Sequence, residues 1–138
     1  MTGRVSAGLA RTVYVSSGRG GTVTPIATTT NTAGEPIEVG GGPGSGRGPG
    51  LIAVTPDGKT AYVVNQSRRT VIPIRTATNT ALAPVKVGRI PQAIAITPDG
   101  KTAYVVNGGT VTPIRTATNT ALPPVTVGRG PTAIAITP

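Results

Sequence analysis

Apolar positions in this chain recur with a period of two, which is typical of β-strands. Residues 93–97 read AIAIT, where small and large apolar side chains alternate, and this predicts a strand buried on both faces. Residues 102–107 and 110–116 predict the next two strands, and 124–128 predict a short, proline-rich strand suited to an outer edge. No segment has a helical period. The sequence therefore predicts an all-β fold.

Turn-forming residues separate these strands. The PDGK sequence at 98–101 predicts a tight hairpin, because proline fixes φ and glycine reaches positive φ. Residues 107–109 and 118–120 predict the next two turns, and we expect the strand-ending Asn107 to bond to backbone groups of its turn. Pro113 removes a backbone donor from the third strand, so we expect a bulge or a bend there.

The whole pattern is repeated along the chain. Residues 56–89 recur as residues 98–129, and a more divergent copy precedes them. Four antiparallel strands in a repeat of about 42 residues are typical of a β-propeller blade. We predict a degenerate blade over residues 4–40, blades over 50–88 and 92–128, a glycine-rich insert loop over 40–50, and the first strand of a next blade at 133–138.

Three blades are too few for a closed ring, since propellers close with about four to eight. We therefore predict an open, incomplete ring with two exposed blade faces and an unpaired inner strand. Its missing blades would come from the rest of a longer parent chain, which we favour, or from self-association or a partner. The isolated 138-residue chain is then expected to be marginally stable or prone to associate with other molecules.

Three segments of the last repeat carry a family resemblance: PDGKTAYVVN, TVTPIRTATNT and VGRGPTAIAITP. Together they resemble the YVTN family of β-propeller repeats, closely over residues 47–138 and loosely over 12–40. The resemblance implies a non-catalytic scaffold for binding or protein interaction, located outside the cell or on its surface. The chain departs from the motif with Val at 64 and 106, where the family has Thr, and Arg at 75 and 115, where it usually has Asp.

Two other functions stay open beside this one. Propellers with similar repeats include lactonases and quinone- or haem-linked dehydrogenase subunits, so the chain is alternatively a fragment of a propeller enzyme whose active site lies elsewhere. A surface-layer or adhesive array, in which the blades only space other domains, is the third possibility. Fold alone does not separate these functions.

Composition argues against chemistry within this stretch. The chain has no histidine and no cysteine, which removes the commonest general base and the commonest metal ligands. We therefore predict no catalytic residue, no metal site and no cofactor. No run of 18 apolar residues predicts a membrane span, and the first 15 residues lack the apolar stretch of a signal peptide.

Charge suggests a binding surface. The chain carries 13 basic and four acidic residues, a formal net charge of +9. Hairpin loops between second and third strands, and connections between blades, open at one end of a propeller. That end is predicted to bind an acidic ligand or a polyanion through Arg19, Arg47, Arg68, Arg69, Arg89 and Arg129. The alternative is that these arginines only solvate the loops.

Sequence-specific recognition of nucleic acid is not expected. Tyr14, Tyr62 and Tyr104 are the only aromatic residues, and their strand positions are predicted to be buried and so unable to stack on bases. The glycine-rich insert lacks the Gly-Lys-Ser/Thr ending of a phosphate-binding loop, so we interpret it as flexible. Asp57 and Asp99 lie in separate repeats and are interpreted as turn formers.

Overall fold

A computed structural model describes residues 11–41 and 48–138. In this part of the chain every regular element is a β-strand, which confirms the all-β prediction. The strands form three antiparallel sheets in sequence order. None of the described residues belongs to a helix long and apolar enough to cross a bilayer.

The first sheet contains four strands, β1 (Thr12–Ser17), β2 (Thr22–Ala27), β3 (Thr32–Ala33) and β4 (Ile37–Glu38). The second contains five, β5 (Pro49–Val54), β6 (Thr60–Asn65), β7 (Thr70–Arg75), β8 (Thr80–Ala81) and β9 (Val85–Lys86). The third contains β10 (Ala93–Ile96), β11 (Thr102–Val106), β12 (Thr110–Arg115), β13 (Thr120–Ala121) and β14 (Val125–Thr126). By register, β1 corresponds to β6 and β11, so the predicted first strand of the 4–40 blade falls outside the described residues.

Each outer strand is split into two short pieces by a bulge. In the third sheet, Ala121 lies opposite Ile114 of β12 and Val125 lies opposite Val111 of β12. Four residues along the outer strand therefore span the same length as three residues along β12. The extra residue falls opposite Pro113, whose ring nitrogen has no proton to donate. The expected bulge is confirmed, and the same shift accompanies Pro25 and Pro73 in the other two sheets. The prediction of a single outer strand at 124–128 was incomplete, because Thr120–Ala121 also pairs with β12.

Two apolar seams hold the sheets face to face. Between the first and second sheets the buried residues are Val23, Ile37, Val39, Ala61, Val63, Ile72 and Ile74. Between the second and third they are Tyr62, Val64, Val71, Val85, Ala103, Val105 and Ile114. Because side chains alternate along a strand, β6 supplies Val63 to one seam and Val64 to the other. The second sheet is thus covered on both sides, as in repeat folds where each unit packs only on its neighbours.

A tyrosine–asparagine hydrogen bond crosses each seam. The Tyr14 hydroxyl donates to Asn79 Oδ1 at 2.6 Å, and the Tyr62 hydroxyl donates to Asn119 Oδ1 at 2.6 Å. Each tyrosine belongs to the second strand of one blade and each asparagine to a turn of the next. Burial raises the pKa of Tyr62 above its usual 10.0, and the Asp57 carboxylate adds to the shift, so the hydroxyl keeps its proton and remains a donor.

Two tyrosines and one inner strand are less buried than the sequence predicted. Tyr62 is fully buried, as predicted, but Tyr14 and Tyr104 are only half-buried, so that prediction was wrong for two of the three. Tyr104 has no following sheet over it among the described residues. The strand at Ala93–Ile96, predicted to be buried on both faces, is half-buried throughout, because the inner strand of an arc borders an open centre.

Candidate anion-binding cleft

At one end of the sheets, backbone hydrogen bonds join the hairpin loops between second and third strands to the connections between blades. The Val87 amide donates to the Arg69 carbonyl at 3.0 Å, and the Gly108 amide donates to the Arg89 carbonyl at 2.7 Å. These bonds link hairpin loops to the connections between blades, as the sequence predicted. We call this end, with the loops that follow β1, β6 and β11 and the connections that follow β4, β9 and β14, the arginine face.

The opposite end carries the PDG turns. Asp57 Oδ1 accepts hydrogen bonds from the Thr55 hydroxyl at 2.6 Å and from the Lys59 amide at 2.9 Å, and Asp99 is bonded in the same way. These bonds lower the pKa of Asp57, with the Thr55 hydroxyl as the largest cause and the Lys59 charge as a minor one. Both aspartates are turn formers, which confirms that interpretation.

A cleft of about 210 Å³ opens on the arginine face between the β6–β7 loop and the connection that follows β9. Gln66, Ser67 and Arg69 from the β6–β7 loop line one side, and Arg89 and Ile90 from the connection after β9 line the other. Both arginines are exposed. The cleft therefore combines two guanidinium groups with the Gln66 amide, a set rich in hydrogen-bond donors, whereas the Ser67 hydroxyl already donates to Asn65 Oδ1.

Two residues that line the cleft have a left-handed backbone. Arg69 has φ of 56° and Ile90 has φ of 54°, a region that costs an L-residue about 1–2 kcal/mol. At the equivalent positions of other repeats the chain has Gly21, with φ of 66°, and Gly130, with φ of 64°. A β-branched residue is rare in this region, and such outliers cluster at functional sites. The second repeat thus carries side chains at two backbone positions that suit glycine.

The remaining predicted arginines lie elsewhere. Arg68 lies along Gly40, since a Cβ on that glycine would meet Arg68 Nε at 3.3 Å, which directs the guanidinium toward the first sheet. Arg19 and Arg129 are exposed on loops of the first and third repeats and do not line the cleft. Arg47 lies outside the described residues. Of the six predicted residues, the structure brings Arg69 and Arg89 together.

Asn65 ties the loop of the second repeat to the sheet before it. Its Nδ2 donates to the Gly40 carbonyl at 2.9 Å, and its Oδ1 accepts from the Ser67 hydroxyl at 2.9 Å and the Arg68 amide at 3.2 Å. The equivalent Asn107 donates to Thr112 Oγ1 at 2.9 Å, but its buried Oδ1 has no partner. The reason is the shorter loop, in which two glycines replace four residues and supply no counterpart to the serine hydroxyl.

Sequence reasoning missed two charges at this end. Lys86 in β9 pairs with Thr70, the residue after Arg69, and so adds a cation beside the cleft. Glu38 in β4 takes the equivalent place in the first sheet, opposite Thr22, and adds an acid to that strand. Both positions belong to the outer strand rather than to a loop. The signal that could have placed them was the repeat alignment of residues 38, 86 and 126.

No protein-family model and no curated protein matches the chain. Among solved structures, Kuenenia stuttgartiensis hydrazine synthase is similar with a TM-score of 0.77 and 28% identity, over 86% of this chain and 33% of that one. A functionally unknown protein from Desulfotomaculum acetoxidans has a TM-score of 0.70 and 23% identity, over 85% and 39% of the two chains. A candidate 6-phosphogluconolactonase from Bacteroides uniformis has a TM-score of 0.76 and 17% identity, over 93% and 41%.

Hydrazine synthase and the candidate lactonase are β-propeller-type proteins, and the chain spans less than half the length of each, 33% of the former and 41% of the latter. Three antiparallel sheets that match them over most of this chain are therefore propeller blades. At identities of 17% and 23% the likeness concerns the fold alone.

Proposed function

We propose that this chain is part of a non-catalytic β-propeller scaffold that binds an anionic ligand through the cleft of Arg69 and Arg89. The observation that carries the proposal is the left-handed backbone of Arg69 and Ile90, at positions where other repeats have glycine. Side chains kept there at a cost in stability imply a use for the surface that they form. The YVTN-like motifs favour a binding role outside the cell or on its surface.

The donors of the cleft indicate the chemistry of the ligand. Guanidinium groups bind carboxylate, phosphate or sulfate with paired hydrogen bonds, and the Gln66 amide offers a neutral donor beside them. The net charge of +9 attracts anions over a longer range. A cleft of about 210 Å³ suits one such group, so we propose that it receives a sulfate, phosphate or carboxylate of a larger acidic ligand.

Binding of heparin fragments, measured by isothermal titration calorimetry at several salt concentrations, tests this role. The variant is Arg69→Gly with Arg89→Ser, in which glycine also suits the backbone of position 69. A hydrogen bond to a charged group contributes about 1.5–3 kcal/mol, so we expect affinity to fall about tenfold or more. Wild-type affinity should also weaken as salt rises.

The matched control is Arg75→Ser with Arg115→Ser. These two arginines are exposed at the opposite end, where they pair with Thr60 and Thr102, and their loss changes the net charge equally. The control should keep most of the affinity. An equal loss in both variants would indicate a general charge effect and contradict the cleft, as would the absence of heparin binding by the wild type.

A role within a propeller enzyme is the second candidate function. It is favoured by the 28% identity with hydrazine synthase, whose name describes an enzyme. In that case the reacting groups would be supplied outside the described residues, and Arg69 and Arg89 would bind an anionic substrate or a neighbouring domain. The same two arginine variants test that contact, with ligand affinity as the readout.

A further inference from the structure

Ile90 is the one feature of the cleft that anion binding does not explain. Its side chain is apolar and 52% exposed, and its φ of 54° is unfavourable for a β-branched residue. The equivalent positions of the other repeats carry Gly48 and Gly130. An aliphatic side chain adds neither charge nor a hydrogen-bond donor to the cleft. Its retention beside two arginines therefore points to contact with an apolar part of the same ligand.

A second cavity adjoins the cleft at Ile90. Its volume is about 420 Å³, within the range of about 300–1,000 Å³ that is usual for sites of small ligands. Arg89 and Ile90 line it from the connection after β9, and Gly108, Gly109 and Thr110 line it from the β11–β12 hairpin. Because Arg89 and Ile90 also line the cleft, the two cavities share a wall, and one molecule can extend from one cavity into the other.

The second cavity results from the shortened loop of the third repeat. There Gly108 and Gly109 replace the four residues 66–69 of the second repeat, so the loop projects no side chain into this space. A Cβ on Gly109 would meet no atom of the described residues within 4 Å. The Gly108 amide donates to the Arg89 carbonyl at 2.7 Å. This bond holds the hairpin against the connection and so fixes the two walls of the cavity relative to each other.

The side chain of Ile90 lies against the hairpin. A Cβ on Gly108 would lie 3.6 Å from Ile90 Cδ1 and 3.8 Å from Ile90 Cβ. Ile90 and the Cα atom of Gly108 therefore form an apolar surface. Arg89 lines the same cavity, and a guanidinium group is attracted to the face of an aromatic ring. An aromatic ring uses both the apolar and the cationic wall, whereas an aliphatic chain uses only the first.

We infer that the two cavities together bind an aromatic anion, a small molecule in which a phosphate, sulfate or carboxylate is attached to an aromatic ring. The acidic group occupies the cleft of Arg69 and Arg89, so this inference rests on the proposed function. The ring lies in the second cavity, against Ile90 and beside Gly109. Ile90 then selects ligands that carry a ring, which is a role that charge cannot perform.

Titration of the isotope-labelled 138-residue chain by two-dimensional NMR tests the inference. The probes are inorganic phosphate and phenyl phosphate, which share the acidic group and differ by the phenyl ring. We expect phenyl phosphate to bind about tenfold more tightly, because the ring is removed from water and contacts a cation. The amide signals of Gly108 and Gly109 should shift more with phenyl phosphate than with inorganic phosphate.

Two substitutions alter the ring site and leave both arginines in place. Ile90→Gly removes the apolar side chain and suits the left-handed backbone. Gly109→Leu fills the second cavity from a position outside the left-handed region, where a Cβ meets open space. Each should reduce the preference for phenyl phosphate to about threefold or less, with the affinity for inorganic phosphate kept within about twofold.

Gly128→Leu is the matched control. Gly128 likewise has ordinary backbone angles and open space around a Cβ, but it lies on the connection after β14 and lines neither cavity. This variant should keep the full preference for phenyl phosphate. An equal loss of preference in Gly128→Leu and Gly109→Leu would indicate a general effect of an added leucine and overturn the ring site.

The remaining outcomes separate this inference from the proposed function. Equal affinity of the wild type for the two probes would overturn the aromatic site while anion binding stands. A preference for phenyl phosphate that survives both Ile90→Gly and Gly109→Leu would overturn it as well, because the ring would then bind elsewhere. If the wild type binds neither probe, the anion-binding cleft is wrong, and the aromatic site is wrong with it.

Discussion

Ile90 and Arg69 carry side chains at backbone positions where neighbouring repeats carry glycine. Their φ values of 54° and 56° lie in the left-handed region, which is least favourable for a β-branched side chain. Ile90 is also 52% exposed, so little burial offsets this cost. The cleft is consequently formed by residues that stability alone would not favour.

Substitution of Ile90 by glycine is therefore expected to stabilise the protein. Relief of the left-handed strain adds about 1–2 kcal/mol to the free energy of unfolding, and the greater conformational freedom of glycine in the unfolded chain subtracts about 0.5–1 kcal/mol. We expect the free energy of unfolding in urea to rise by about 1 kcal/mol. Ile90→Val keeps a β-branched side chain and should give no gain. A glycine variant no more stable than the wild type would contradict the strain at this position.

At the scale of elements, each seam combines apolar packing with one directed polar bond. Tyr62 packs among the valines of the second seam, while its hydroxyl reaches across to the turn of Asn119 in the third sheet. Asn119 has φ of 54°, which asparagine tolerates better than most residues. The bond therefore fixes the position of one sheet along the next, which apolar contacts alone leave less specific.

A double-mutant cycle measures this bond. Tyr62→Phe removes the hydroxyl, and Asn119→Gly removes the acceptor without straining the left-handed turn. We expect a coupling free energy of about 1 kcal/mol between the two changes, determined by chemical denaturation. Additive effects of the two substitutions would show that the bond of 2.6 Å does not stabilise the seam.

The sequence allowed much of this element structure to be predicted, for physical reasons that differ by residue. Pro113 lacks a backbone donor, so a bulge beside it could be foreseen, and the PDG turns have intrinsic backbone preferences. The left-handed Ile90 could not be foreseen, because isoleucine disfavours that conformation. The position of Arg69 and Arg89 on two sides of one cleft depends on how the β6–β7 loop meets the connection after β9, and no local pattern encodes that.

At the scale of the whole molecule, equivalent residues differ in burial because the arc has two ends. Ile74 and Ile114 are 0% exposed, whereas Ile26, at the same place in the first repeat, is only half-buried on the uncovered face. The contribution of a side chain to stability thus depends on which blade carries it. This is the behaviour of a stack in which each unit contacts only its neighbours.

Alanine substitutions at these equivalent positions test that dependence. Ile74→Ala should lower the free energy of unfolding by about 2–5 kcal/mol, as is usual for a buried isoleucine. Ile26→Ala should cost clearly less at protein concentrations where the chain sediments as a monomer. Urea titrations monitored by circular dichroism give both values. If both substitutions lowered the free energy of unfolding of the monomer equally, the first sheet would be covered on both sides.

The bulge opposite each strand proline has a consequence for contacts between molecules. It leaves two-residue pieces, such as Thr120–Ala121 and Val125–Thr126, as the outer strand of every blade. Strands this short and irregular are poor templates for sheet growth, so the circumference of the molecule resists amyloid-like stacking. Lateral aggregation, if the protein is destabilised, is therefore expected to begin away from the rim.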